Sequence, residues 1–209
     1  MSIKELERSY DLAVSQGVKP KAIVIINPGN PTGHVLTREC IEKIFKFAFK
    51  KRVVVISDEV FQDNVFLKEK EFVSAKKVLS EMPSPYNKLE MFSLHSTSKG
   101  LSYESAISGG FFEMSNIDEE VIMQFIKLKS INLCSSTMGQ LAVDLMVAPP
   151  TLTEYTQKTV DTYNKQINRR KKTLQTSVQI VDKFLKKMNN ITTNPIGGSM
   201  YAFPRIHLN

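Results

Sequence analysis

Two unbroken apolar runs, Ala22-Ile23-Val24-Ile25-Ile26 and Val53-Val54-Val55-Ile56-Ser57, interrupt a chain otherwise patterned at helical spacing. Each is short, β-branched and bounded by turn or polar residues, which predicts a strand buried on both faces. Between them Ile41, Ile44, Phe45 and Ala48 recur on one helical face, and Thr37 can cap that helix, which runs to about Lys51. Strand, helix and strand in so short a span make a βαβ unit, hence a parallel pair. A first helix over Ile3 to Gln16, stopped by Gly17, precedes it. Further along, the pattern predicts a helix over residues 72–81 and strands over Lys88 to Leu94 and Gly109 to Met114. Helices follow over about 118–130 and 139–146, then a long one from about Thr153 to Lys187. The end, Asn194 to Pro204, reads as a turn leading into a strand. No internal repeat or low-complexity segment is present.

The segments that break the apolar pattern fall in telling places. Asn27-Pro28-Gly29-Asn30-Pro31-Thr32-Gly33 can be neither helix nor strand and follows the first strand. Asp58-Glu59 ends the second, and His95-Ser96-Thr97-Ser98-Lys99-Gly100 ends the third. Ligands of open parallel sheets bind beyond the carboxyl ends of the strands, so an amide, a carboxylate and a lysine reach one rim. A lysine attacks aldehydes once desolvated, and pyridoxal phosphate supplies an aldehyde and a ring nitrogen whose proton needs a carboxylate. Asp58 fits that carboxylate, Asn30 a donor to the ring phenolate, and Ser96 and Ser98 phosphate contacts. Taken singly, each has a plainer reading: Asp58 as a turn cap, Lys99 as a solvated side chain, Asn30 as a partner of its own backbone.

Composition changes this picture little. Lys and Arg total 28 against 21 Asp and Glu, a net charge of +7. Much of the excess lies between Lys165 and Lys187, where a solvated helix face explains it without nucleic acid. No apolar run approaches the ~20 residues of a membrane span. Only Cys40 and Cys134 are present, and no Cys/His spacing suits a structural metal site. With no apolar signal core at the N-terminus, the expected compartment is cytoplasmic, with reduced thiols.

Asn27 through Gly33, Asp58-Glu59-Val60-Phe61-Gln62-Asp63-Asn64-Val65-Phe66 and His95 through Gly100 together resemble the consecutive signatures of alanine aminotransferases, within the fold-type I pyridoxal-phosphate enzymes. The similarity continues through Gly109-Gly110 and Leu133-Cys134 to Gly198 through Arg205. The resemblance implies an α/β fold, with residues 1–150 forming part of the cofactor-binding large domain (a mostly parallel sheet flanked by helices). Residues 151–209 would be a linking helix and the start of the small domain. It implies that Asn30 contacts the phenolate oxygen and the substrate carboxylate, that Asp58 pairs with the pyridinium nitrogen, and that Ser96 holds phosphate. Lys99 would form the internal aldimine and carry the proton between the substrate α-carbon and the cofactor. The implied reaction is L-alanine plus 2-oxoglutarate giving pyruvate plus L-glutamate, in a homodimer; the expected compartment stays cytoplasmic, with a mitochondrial form left open.

Two positions depart from the family pattern. Phe61 stands where the family has tyrosine, and Ser108 where it has a phosphate-binding arginine. The resemblance further implies that the glycine-rich loop, the ring-stacking aromatic and the carboxylate-clamping arginine lie in segments outside this sequence. The alternative reading is therefore a truncated, catalytically inactive paralogue or a regulatory partner of a full-length enzyme. In either case apolar surface is expected to be uncovered, with poor stability or association as the consequence.

Overall fold

Strands β1 (Ala22–Ile26), β2 (Val54–Asp58) and β3 (Met91–Ser96) lie side by side in chain order in the computed structural model, all parallel. The structure describes residues 2–67, 70–100 and 106–208. Strand β4 (Gly110–Ser115) completes the sheet in the order β1-β2-β3-β4 but runs antiparallel to β3, from Ser96↔Gly110 to Met91↔Ser115. Apolar content marks a strand without giving its direction, so the sequence pattern predicts β4 and leaves its sense open. The fold is α/β with a mostly parallel sheet.

Helix α1 (Ile3–Ser15) packs beside α2 (Arg38–Lys51) through an edge-on Tyr10–Phe47 pair at 6.1 Å. Thr37 caps α2, its hydroxyl accepting from the Cys40 amide, and Ile41, Ile44, Phe45, Phe47 and Ala48 form its buried stripe. Apart from Phe47, that stripe meets Ile25, Val55 and Met91 from one face of the sheet and Val78 and Leu79 from α3 (Ala75–Glu81) in a single apolar core. Each of these side chains larger than alanine stabilises by about 1.5–3 kcal/mol on burial. Helix α3 begins three residues later than the apolar pattern predicts. The Glu59 carboxylate accepts from the Ala75 amide at 2.6 Å, anchoring the helix start to the end of β2. Strand β3 is displaced similarly: a short 3-10 turn over Tyr86–Lys88 delays its start, and Ser96 closes it by pairing with Gly110.

The second face of the sheet is differently covered. Phe92 and Phe112 meet Phe125 of α4 (Glu119–Lys129) at ring-centroid separations of 5.3 and 6.0 Å, but Val24 is 59% exposed. Helix α5 (Thr137–Val147) rests on β4, and the 29-residue α6 (Gln157–Leu185) buries no residue. Thr156 caps α6 by accepting from the Thr159 amide, so this helix starts later than the pattern predicts. Leu128, Leu133, Leu141 and Leu145 are all exposed, which is the uncovered apolar surface anticipated above. Among the described residues no helix is long and apolar enough to cross a membrane.

The chain's last segment returns to the sheet. Strands β5 (Ile191–Thr192) and β6 (Arg205–Ile206) pair antiparallel, and the buried turn between them docks on the loops that follow β1 and β2. Gly197 and Gly198 donate their amides to the Gly33 carbonyl at 2.9 and 2.8 Å, and Ser199 donates to the Asn64 carbonyl at 2.9 Å. Gly33 has φ +67, and a Cβ there would lie 3.3 Å from the Gly198 carbonyl oxygen, so this contact needs glycine.

Candidate active site

The strand register places the three polar segments at one end of the sheet. Ile26 pairs with Asp58, and Asp58 with Leu94, so the chain leaves β1, β2 and β3 at nearly the same height. Alternate residues of a strand share a face. Asp58 therefore stands on the same face as Leu94 and Ser96, opposite the core built by Val55 and Met91. One Asp58 oxygen accepts from the Val60 amide at 3.1 Å, a turn-capping bond of the plainer kind anticipated for it. Asn30 is exposed in the loop after β1. That loop is held by Asn27, whose side-chain oxygen accepts from the Leu36 amide at 2.9 Å and whose own amide donates to the Asp58 carbonyl at 2.9 Å.

The end of β3 is stitched to the segment before β4. Buried Thr97 donates its amide to the Gly109 carbonyl at 3.0 Å and its hydroxyl to the Ile107 carbonyl at 3.0 Å. The Ser96 hydroxyl lies 3.0 Å from the Gly109 carbonyl oxygen and accepts from the Ser98 amide at 3.1 Å. Lys99 follows at once, half-buried, with Gly100 behind it at φ +83. Beside this turn opens a cleft of about 950 Å³, lined by Ser96, Ser98, Ser108, Gly109 and the start of α5. Hydroxyls and a helix N-terminus face it together, a combination suited to an anion. The cleft is lined by Ser96 but not by Asn30, Asp58 or Lys99; the register relates only Asp58 to it, by placing that residue on the face of Ser96.

Close backbone contact gives the cleft its floor. A Cβ on Gly139 would stand 2.3 Å from the Ser108 carbonyl oxygen, and one on Gly109 would stand 2.5 Å from that of Gly139. Only two glycines allow α5 so near β4. Three residues after Asp58 stands Phe61, 2% exposed, its ring edge-on to Tyr201 of the returning turn at 5.7 Å. An aromatic pair thus occupies the place where the resemblance puts a tyrosine hydroxyl.

Three groups near the rim carry more than their part in the motifs suggested. Glu59 is buried on the α3 side, and burial raises its pKa above the ordinary carboxylate value against the bonds from Ala75, Ser74 and Ser57. His95 accepts from the Ser96 amide through Nδ1 at 2.7 Å, and burial lowers its pKa against the pull of Asp63. Asn64 is fully buried next to Gly100, with both side-chain polar atoms unpartnered among the described residues. The sequence signal for Asn64 was its place in the second motif; nothing local announced its burial.

Comparison with known proteins agrees with this fold. Residues 1–197 match the family model described as aminotransferase class I and II. The chain is 44% identical over its whole length to a probable mitochondrial alanine aminotransferase of Dictyostelium discoideum, covering 39% of that protein. It is 39% identical over its whole length to alanine aminotransferase 1 of Homo sapiens, covering 41%. The chain thus spans about two fifths of the length of these relatives. Among solved structures, an alanine aminotransferase from Pyrococcus furiosus aligns with a TM-score of 0.74 at 25% identity, over 90% of this chain and 43% of that one. An aromatic aminotransferase from Pyrococcus horikoshii shares the fold at TM-score 0.72 and 22% identity, over 99% of this chain and 48% of that one. From sheet order, rim and family match together, the chain belongs to the aminotransferase class I and II family.

Proposed function

We propose that this chain is the lysine-bearing part of a pyridoxal-phosphate aminotransferase of the alanine aminotransferase type. What supports the reading is that the loop bearing Asn30, the Asp58 end and the Ser96–Lys99 turn follow three neighbouring parallel strands at one end of the sheet, where Ser96 and Ser98 line a cleft. The residues fit the group: hydroxyls of Ser96 and Ser98 with the α5 start suit its phosphate, Asp58 suits a protonated ring nitrogen, and Lys99 supplies the amine. When bound, pyridoxal phosphate supplies an electron sink for the bonds at the substrate α-carbon. Lys99 would carry the proton between that carbon and the cofactor, while Asn30 would orient the substrate carboxylate.

The substrates of this reading are an amino acid and a 2-oxo acid, with L-alanine and 2-oxoglutarate giving pyruvate and L-glutamate. The working assembly is a homodimer, and the compartment cytoplasmic, with the mitochondrial alternative decided by fractionation. Residues 1–150 act as the cofactor domain and 151–209 as the link to the small domain. A second reading, an inactive paralogue, is favoured by Phe61 and Ser108; nothing beyond physical possibility supports a regulatory partner. An absent phenolate hydrogen bond costs about 1 kcal/mol and an absent charged phosphate contact about 1.5–3 kcal/mol.

Borohydride reduction of the protein with pyridoxal phosphate, followed by peptide mapping, tests the first reading. Label on Lys99 that disappears in Lys99→Ala supports it. A wild-type chain that takes no label leaves only the family fold.

A further inference from the structure

Strand β2 ends at Asp58, while β3 continues to Ser96. In an antiparallel pair the residues that exchange backbone bonds alternate with residues whose groups turn away. Thr97 donates its amide to Gly109 of the β4 side, so the Ser96 amide, one residue earlier, faces away from β4. It turns toward β2, where the strand has already stopped. The His95 ring takes the place of the lost strand partner: the Ser96 amide donates to His95 Nδ1 at 2.7 Å.

We propose that His95 is a positioning residue for the Ser96–Lys99 turn, its neutral ring accepting the Ser96 amide so that protonating the ring releases it. An amide can only donate, so Nδ1 must carry a lone pair and the ring proton sits on Nε2. Nε2 is buried, without a partner among the described residues, and the ring lines a polar pocket of about 340 Å³ with Glu59, Ser93 and Lys76. That pocket lies on the α3 side of the sheet, across from Asp58 and Ser96. It has room for water to satisfy Nε2–H and the unpartnered Ser93 hydroxyl.

The charged groups around the ring come from every neighbouring element. Asp58, Glu59 and Asp63 lie at and beyond the end of β2, Lys76 comes from α3, and Glu113 from β4, the last two paired at 2.7 Å. Phe111 of β4 packs on the ring at 5.8 Å, and Met146 and Val147 of α5 add no charge. Burial keeps the neutral form favoured despite the carboxylates. Protonation puts a hydrogen on Nδ1, which faces the amide hydrogen of Ser96 at bonding distance. The bond breaks, and the first residue of the turn that carries Lys99 loses its anchor. The functional weight of this device rests on the role proposed for Lys99; the device itself does not.

Nitrogen NMR of the wild-type chain tests it directly. Above the ordinary histidine pKa, the His95 shifts should report an Nε2–H tautomer. As pH falls and the ring protonates, the protection factor of the Ser96 amide should drop about five- to tenfold, the equivalent of one neutral hydrogen bond. His95→Asn, whose amide oxygen accepts without titrating, should keep the amide protected and independent of pH. An Nδ1–H tautomer, or a Ser96 amide indifferent to ring protonation, overturns the proposal. Borohydride labelling of Lys99 is a separate measurement. Its failure with the His95–Ser96 coupling intact would sink the functional reading alone.

Discussion

Replacing Gly139 by alanine sets two opposed effects against each other. In an open helix position the change stabilises by up to about 1 kcal/mol, through helix propensity and a less flexible unfolded chain. Here the new Cβ would stand 2.3 Å from the Ser108 carbonyl oxygen and 3.4 Å from the Gly109 Cα, all of it backbone. No side chain can swing aside, so the start of α5 must retreat from β4 by about 1 Å, and such overpacking costs about 1–3 kcal/mol. The Ser136 cap, already long at 3.4 Å from the Gly139 amide, has no slack to absorb the shift. The packing term wins, and Gly139→Ala should be less stable by about 1–2 kcal/mol in urea unfolding followed by circular dichroism. Gly109→Ala strains the same approach from the other side, its Cβ falling 2.5 Å from the Gly139 carbonyl. The double variant should therefore lose less than the two single losses together, since one retreat relieves both. A Gly139→Ala chain as stable as wild type, or more so, would refute the reasoning.

Other consequences can be measured as directly. Ser108→Arg places a guanidinium in the hydroxyl-lined cleft, and should tighten pyridoxal phosphate binding about ten- to a hundredfold. An equal gain for pyridoxal, which lacks the phosphate, would contradict it. Glu59→Ala leaves the Ala75 amide without its acceptor and should cost about 1–3 kcal/mol in urea midpoint experiments. Because the folded pKa of Glu59 is raised above 4.5, its contribution is fully present when protonated and is lost as pH rises through the folded value. The stability of Glu59→Gln relative to wild type should accordingly grow over that rise; a flat difference would count against it. His34 and His95 are both held below 6.5 by burial, so the stability they confer is full above that value and falls as pH drops through their folded values. A urea midpoint unchanged from about pH 7.5 down to pH 5 would contradict this. Finally, exposed Leu128, Leu133 and Leu145 should bind an apolar dye or drive self-association, and a dye-silent monomer in sedimentation would disprove it.

How far the sequence could be read varied by element. The apolar runs at 22–26 and 53–57 announced a parallel pair, and the polar segments after them announced the rim, because both signals are local in the chain. The start of α3 could not be read, since a carboxylate sixteen residues earlier sets it. Nor could the direction of β4, as antiparallel pairing leaves no mark on the alternation of its residues. The docking of Gly197–Ser199 on Gly33 and Asn64 depends on segments far apart in the chain; the glycines hinted at a turn, not at its partner. Asn30, Asp58, Ser96 and Lys99 were singled out by residue type and order. The role of His95 emerges only once β2 is seen to stop short of β3.

The sheet order has one more outcome. Strand β1 is the sheet's first strand, pairing with β2 on one side, and its sequence Ala22-Ile23-Val24-Ile25-Ile26 carries neither charge nor proline. Among the described residues no strand pairs with its outer row of backbone donors and acceptors, and such a row is a template on which a further extended segment can add. Growth from such an edge is nucleated and steeply concentration-dependent, and it propagates through the backbone, not through any side-chain pocket. Lys19, Pro20 and Lys21 stand directly before the strand. A proline and two like charges, repeated at every added layer, are the residues that hold such growth in check.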